Sequence, residues 1–357
     1  MKCIRRGLVA LLLCLSMVFL WGCQKEGIYK EERSSLKDRK VMAKVGDYKV
    51  RYELMRALFY TVKDGVDNGD DSVWSSEQAD EYFDAAMVEI ESALRQIYGT
   101  FAHLEACGID PFGDDIDELV YEYVRKDIEG GYANNNYITG YGSKDAYLKA
   151  LEDRHFTDAA NRILYRMAAA SSVLHDYYLE TYADGSIAIS DDMIKNFLLS
   201  DDCIHVHWVY IERNSHYTDA QQQAYLDEVW QKLKALEGSP NILQLVITYG
   251  YNLAAANLEN GFYITETTMG STYRPIVEAA KTLSPYEVSS VVECADGYYI
   301  LVGLQKNADD LLVNSVYKEV TNLYITNQLY TDIDLAGQAL DITYKKAFDK
   351  YRGKKLD

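Results

Sequence analysis

One short segment concentrates residues able to do chemistry: Cys203-Ile204-His205-Val206-His207-Trp208-Val209-Tyr210-Ile211. Its β-branched and aromatic content predicts a strand. Alternation along that strand puts Cys203, His205 and His207 on one face, where a His-x-His pair suits a metal ion. No third carboxylate or histidine from a neighbouring strand is identifiable, so no metal is assigned. His103, His155, His175 and His216 stand singly. The acidic runs at 67–71 and 114–118 fit a solvated loop and a helix start better than a calcium loop. The serines lie in no Gly-x-Ser-x-Gly elbow, and neither a P-loop nor a dinucleotide glycine fingerprint is present, so no cofactor is expected.

A second reactive residue is Cys23. It follows Lys2, Arg5 and Arg6, an apolar run from Gly7 to Leu20, and then Trp21-Gly22. A basic start, a short apolar core and a small residue before a cysteine predict an export signal over residues 1–22, too short for a comfortable membrane span. Gly22-Cys23 resembles the lipobox of bacterial lipoproteins, with Trp21 bulkier than the small residue usual there. The resemblance implies lipidation at Cys23 and an extracytoplasmic protein held at a membrane. The cysteines beyond it, Cys107, Cys203 and Cys294, form no CxxC pair and imply no disulfide framework.

The formal charge of −19 becomes more negative once Lys2, Arg5 and Arg6 are removed. Such a balance repels phosphate backbones and anionic headgroups, which excludes nucleic acid and favours basic or neutral partners. The chain has 31 tyrosines against nine phenylalanines, and tyrosine combines apolar area with a polar tip suited to wet contact surfaces.

The elements that must position these residues fall into two textures. Residues 23–40 are polar and aperiodic and predict a flexible linker. A hairpin over 41–50 follows, and then helices at 52–63, 77–107, 114–128, from 143, 156–182 and 189–199, the last capped by Ser190. From Cys203 the pattern changes to strand, two helices, a strand at 261–264, a helix at 275–282 and a strand at 297–304. A helix at 311–329 and a strand at 340–344 close the chain. The expected class is α+β: a mainly helical domain over 41–199, an inserted α/β domain with an antiparallel sheet over 200–306, and a segment at 307–357 packing back on the first.

This order resembles the extracytoplasmic foldases of the PrsA/SurA type, in which a parvulin-like peptidyl-prolyl isomerase domain is inserted into a helical chaperone domain. The residues that carry the resemblance are Ala43-Lys44-Val45-Gly46-Asp47, Ile189-Ser190-Asp191-Asp192, His207-Trp208-Val209-Tyr210, the run from Ile276 through Ala279-Ala280 and Leu283 to Glu287-Val288-Ser289, and Gly297-Tyr298-Tyr299-Ile300-Leu301. It implies a four-stranded antiparallel sheet, unfolded or newly exported polypeptides as partners, and prolyl isomerisation as the activity.

The implied catalytic positions are His207, Tyr299 where the family has its second histidine, and Asn252 where it has Asp or Cys. The implied proline-gripping positions are Phe262, Thr272 and Ile276. A tyrosine hydroxyl bonded to His207 would fix its tautomer. Loss of several features together implies weak or lost isomerase activity beside a retained chaperone role. A surface solute- or glycan-binding lipoprotein, with tyrosines as stacking platforms, is the alternative.

Overall fold

The computed structural model describes residues 29–133, 136–183, 185–214, 216–249, 260–269 and 273–356. Its elements run β1 (Val41–Val45), β2 (Tyr48–Arg51), α1 (Tyr52–Asp67), α2 (Ala79–Ala106), α3 (Asp114–Glu129), β3 (Gly131–Ala133), β4 (Asn136–Ile138), α4 (Lys144–Glu152), α5 (Asp158–Ala183) and α6 (Asp191–Leu199). There follow β5 (Ile204–Glu212), α7 (Asp219–Lys234), α8 (Ile242–Tyr249), β6 (Phe262–Ile264), α9 (Glu266–Met269), α10 (Arg274–Ala280), β7 (Val288–Cys294), β8 (Gly297–Gly303), α11 (Asn314–Gln338) and β9 (Ile342–Tyr344). The class is α+β and mainly helical, as expected. Two compact units result, Met1–Leu174 with Asp332–Asp357, and His175–Thr331, with boundaries inside α5 and α11. Among the described residues no helix is long and apolar enough to cross a membrane.

In the helical unit, β1 pairs with β2 and also with β9, giving the antiparallel order β2-β1-β9. Helix α2 meets the end of α11 at two glycines. A Cβ on Gly99 would lie 2.7 Å from the carbonyl oxygen of Ile333, and one on Gly337 2.5 Å from that of Arg95, so the helices approach backbone to backbone. Arg95 then donates to the carbonyls of Gly337 (3.1 Å) and Leu340 (2.7 Å), satisfying acceptors that a helix end leaves unpaired. Deeper in the unit the Asp67 carboxylate takes Lys63 Nζ at 2.8 Å, the Trp74 indole N–H at 2.7 Å and the Gly69 N–H at 2.9 Å.

The expected linker is docked from residue 29 onward. Tyr29 is 3 % exposed and packs with Val124, Ile128 and Tyr147, while Arg162 donates to its carbonyl at 2.5 Å. The Glu32 N–H donates to Asp158 at 2.8 Å, and Ser34 Oγ to Glu53 at 2.5 Å. These anchors lie on α1, α3, α4 and α5, so local polarity alone does not reveal them.

In the second unit four antiparallel strands lie in the order β6-β5-β8-β7. Strand β7 has no counterpart in the sequence pattern, because Val288-Ser289-Ser290-Val291-Val292-Glu293-Cys294 breaks alternation and its pairing with β8 shifts register between Val288 and Val291. Helices α7 and α8 cover one face through Leu226, Val229, Ile242 and Val246, packed on Val209, Ile211, Ile300 and Val302. Helix α10 covers part of the other through Ile276, Val277 and Ala280, packed on Val206 and Leu301. This unit is wider than residues 200–306: Ile194, Phe197 and Leu198 of α6 share one apolar cluster with Cys203, Tyr263 and the α11 residues Val316 and Val320. Packing carries its boundary into the flanking helices, past the point where the sequence changes texture.

Candidate functional site

Register decides which of the expected residues can act together. Strands β5 and β8 pair without interruption from Val206↔Gly303 to Glu212↔Gly297, with His207 opposite Val302 and Tyr210 opposite Tyr299. Side chains of paired residues share a face and successive ones alternate. Tyr299 therefore lies with Trp208 and Tyr210 on the α10 face, and His207 lies with Val209 and Val302 on the other. The bond expected between Tyr299 and His207 is absent, since the sheet separates them.

Each has other engagements. His207 is 1 % exposed, and its Nδ1 accepts from the Trp208 N–H at 3.0 Å. The Tyr299 hydroxyl donates to Asp296 Oδ2 at 2.8 Å. Tyr273 donates to the same oxygen at 3.2 Å, and the Tyr210 hydroxyl to the Asp296 carbonyl at 2.9 Å. Asp296 stands in the two-residue turn between Cys294 and Gly297, the closing pair of the β7–β8 hairpin. Gly297 is what lets Tyr210 come so close, because a Cβ there would meet the Tyr210 ring and the Ile211 carbonyl oxygen, each at 2.7 Å.

Around this carboxylate runs an aromatic shelf. Trp208 stacks on Phe262 with centroids 3.6 Å apart and planes 2° from parallel, and the Tyr210, Trp208 and Tyr273 rings lie 5.1, 6.2 and 6.2 Å from Tyr299. Tyr299 is buried, whereas Trp208, Tyr210, Phe262 and Tyr273 are half-buried and Asp296 is exposed. Burial first, then the Asp296 carboxylate, raises the ionisation of Tyr210, Tyr273 and Tyr299, so all three phenols stay protonated donors. Burial, followed by Asp296, also raises the Cys294 thiol, and burial pushes Cys203 up to about 12. Neither thiol is a ready nucleophile.

Of the other expected site residues, Phe262 joins the shelf, while Ile276 is fully buried in the core beneath it and forms no wall of an open pocket. Asn252, Thr272 and Cys23 lie outside the described residues. His205 stacks on Tyr263 at 4.0 Å and turns both ring nitrogens to carbonyl oxygens, Nδ1 to Gln305 at 2.9 Å and Nε2 to Asn260 at 2.7 Å. Trp208, Tyr210, Tyr273 and Asp296 were missed as site residues. Spacing of two between Trp208 and Tyr210 was the available signal, and it needed the β8 register to become a site.

The chain is similar to PrsA foldases. Solved structures that match include foldase protein PrsA from Streptococcus pneumoniae str. Canada MDR_19A, at 19% identity over 78% of this chain and 93% of that one, with a TM-score of 0.31. PrsA from Bacillus subtilis matches at 18% identity over 84% and 91%, TM-score 0.26, and foldase protein PrsA from Lactococcus lactis at 13% over 88% and 97%, TM-score 0.25. No family model and no curated protein matches. Identity this low and superposition this loose assign no chemistry to the residues above.

Proposed function

We propose that this chain is an extracytoplasmic foldase of the PrsA type, anchored through a lipid on Cys23, that holds unfolded exported polypeptides and isomerises prolyl bonds weakly or not at all. The observation that carries it is the aromatic face of the sheet headed by Asp296. A shelf of Trp208, Phe262, Tyr210 and Tyr273, half-buried among the described residues, offers apolar contact to an extended segment, and an exposed carboxylate beside it attracts cationic side chains. Among the described residues no cation stands within ion-pair distance of Asp296. A basic, partly apolar stretch of unfolded chain suits such a surface, and the charge of −19 favours its approach.

The same geometry supports the reading of weak catalysis. Rotation about a peptide bond faces a barrier of about 20 kcal/mol, lowered when the amide is desolvated and its resonance weakened. Among the described residues no imidazole bonds to Tyr299: His207 lies in register on the other face and is buried, its ring meeting the shelf only edge-on at Phe262, 5.9 Å between centroids, and Ile276 is sealed in the core. The test pairs NMR exchange on a proline peptide with suppression of aggregation. The expected outcome is slowed aggregation at an equimolar ratio with little catalysis. Catalytic efficiency within about tenfold of the diffusion limit, or no effect on any unfolded client, would overturn it. For the anchor, Cys23→Ser is expected to release the protein from membranes or block its processing, and an unchanged membrane fraction and mass would count against lipidation.

A further inference from the structure

The two oxygens of the exposed Asp296 carboxylate are not equally open. A carboxylate offers about four acceptor sites, two on each oxygen. Oδ2 accepts from both Tyr299 (2.8 Å) and Tyr273 (3.2 Å), which fills it, while Oδ1 accepts from no group among the described residues. Arginine pairs best through its fork, with two parallel N–H groups on the two oxygens at once, and here one prong meets an oxygen already taken. A lysine ammonium needs a single oxygen and loses nothing.

The rings beside it make the same distinction. Tyr299, 7 % exposed, is the floor of the shelf, and the half-buried Trp208 and Tyr273 each lie 6.2 Å from it with planes at 79° and 80° to its own. Tyr210 is tilted by 45° at 5.1 Å, and one face of Trp208 is covered by Phe262. A planar guanidinium gains most by lying parallel to a ring and cannot be parallel to surfaces set at right angles, whereas a compact ammonium is attracted by ring faces of any orientation. Local charge favours a cation without supplying one. Arg213 is committed to Glu293 at 2.6 Å and lies over the Tyr298 ring, and Arg274 is committed to Glu278 at 2.9 Å. After burial and Asp296, the exposed Glu212 at the end of β5 also raises the Tyr210 phenol, a second negative charge within reach of the shelf.

We infer that the Asp296 shelf selects lysine over arginine, taking segments in which a lysine is flanked by aromatic or apolar residues. This rests on the proposed function, which requires only that the shelf hold cationic stretches of unfolded chain, and it adds which cation. The test is calorimetry on the full-length protein with three probes, acetyl-Phe-Ala-Lys-Ala-Phe amide and its arginine and norleucine analogues. The lysine probe should bind about fivefold more tightly than the arginine probe and about tenfold more tightly than the norleucine probe. Tyr273→Phe keeps the ring but returns a site on Oδ2 to the fork, so arginine should gain and the lysine-to-arginine ratio fall to about twofold or less. Asp296→Asn should bring all three probes together, about tenfold below lysine on the wild type. Circular dichroism checks that both variants keep the fold.

Arginine bound as tightly as lysine by the wild type, or a ratio that Tyr273→Phe leaves unchanged, overturns the selectivity. If both charged probes still bind more tightly than norleucine, the selectivity alone fails and the cationic shelf of the proposed function stands. A norleucine probe bound as tightly as the other two, or no binding by any probe, removes that shelf and the inference with it.

Discussion

Two aspartates set among aromatic rings, one in each unit, differ in what satisfies them. Asp67 has a fully buried side chain and receives its own cation, Lys63, together with the Trp74 N–H and a backbone N–H. Asp296 is exposed at a hairpin tip, receives only phenols, and has no ion-pair partner among the described residues. A buried carboxylate must bring its counter-charge with it, because an isolated charge is costly away from water. One at the surface can wait for a partner's. The first arrangement is structural cement and the second suits the receptor role proposed for it, although their local chemistry looks alike in the sequence.

Breaking the buried pair should have the largest effect. Asp67→Ala strands Lys63 and is expected to cost about 3 kcal/mol of stability in urea denaturation, with Asp71 at 2.6 Å retaining part of the charge balance. Although burial disfavours its charge, hydrogen bonds from Lys63, Trp74 and the Gly69 N–H hold Asp67 below the ordinary aspartate range; Lys355 and then Lys63 hold Asp71 at about 2. The stability these groups add is present above about pH 4 and lost as pH falls towards 2. Thermal melts should show that loss, and Asp67→Ala should flatten it.

Gly297→Ala comes next: the new Cβ would displace the Tyr210 ring, with an expected cost of about 2 kcal/mol and a weaker shelf. Asp296→Ala should leave stability within about 0.5 kcal/mol, as befits an exposed turn, yet reduce affinity for a basic aromatic peptide about tenfold. A stability loss like that of Asp67→Ala would erase the contrast between the two aspartates. The smallest change is expected from Tyr299→His. It places an imidazole on the face opposite His207, so NMR exchange on a proline peptide should stay within about twofold of wild type. Recovery of isomerase activity would show that the two positions meet after all.

Much of the helical framework was legible because it depends on near neighbours. Ser143 and Ser190 cap their helices, accepting from the N–H groups of Ala146 and Met193 at 3.1 and 3.2 Å, and Phe83, Ile90, Leu94, Ile97 and Phe101 are the buried stripe of α2. The site was legible only as a set of positions. Whether His207 and Tyr299 share a face depends on a pairing between strands about 90 residues apart, and a slip of one residue reverses the answer. Motif order carries no such information. Asp296 escaped notice for a related reason: Ala-Asp-Gly reads as an ordinary turn until three tyrosines from three different segments converge on it.

The docking of Tyr29 sets a length. Between it and Cys23 lie six residue steps, which span at most about 22 Å when fully extended. Under the proposed lipidation of Cys23, Tyr29 would be on a leash no longer than the bilayer is thick. Under that proposal Tyr29 and the residues packed on it, Val124, Ile128 and Tyr147, stay close to the membrane surface. The clients proposed for the protein would then be met at a local concentration set by that leash and independent of the bulk.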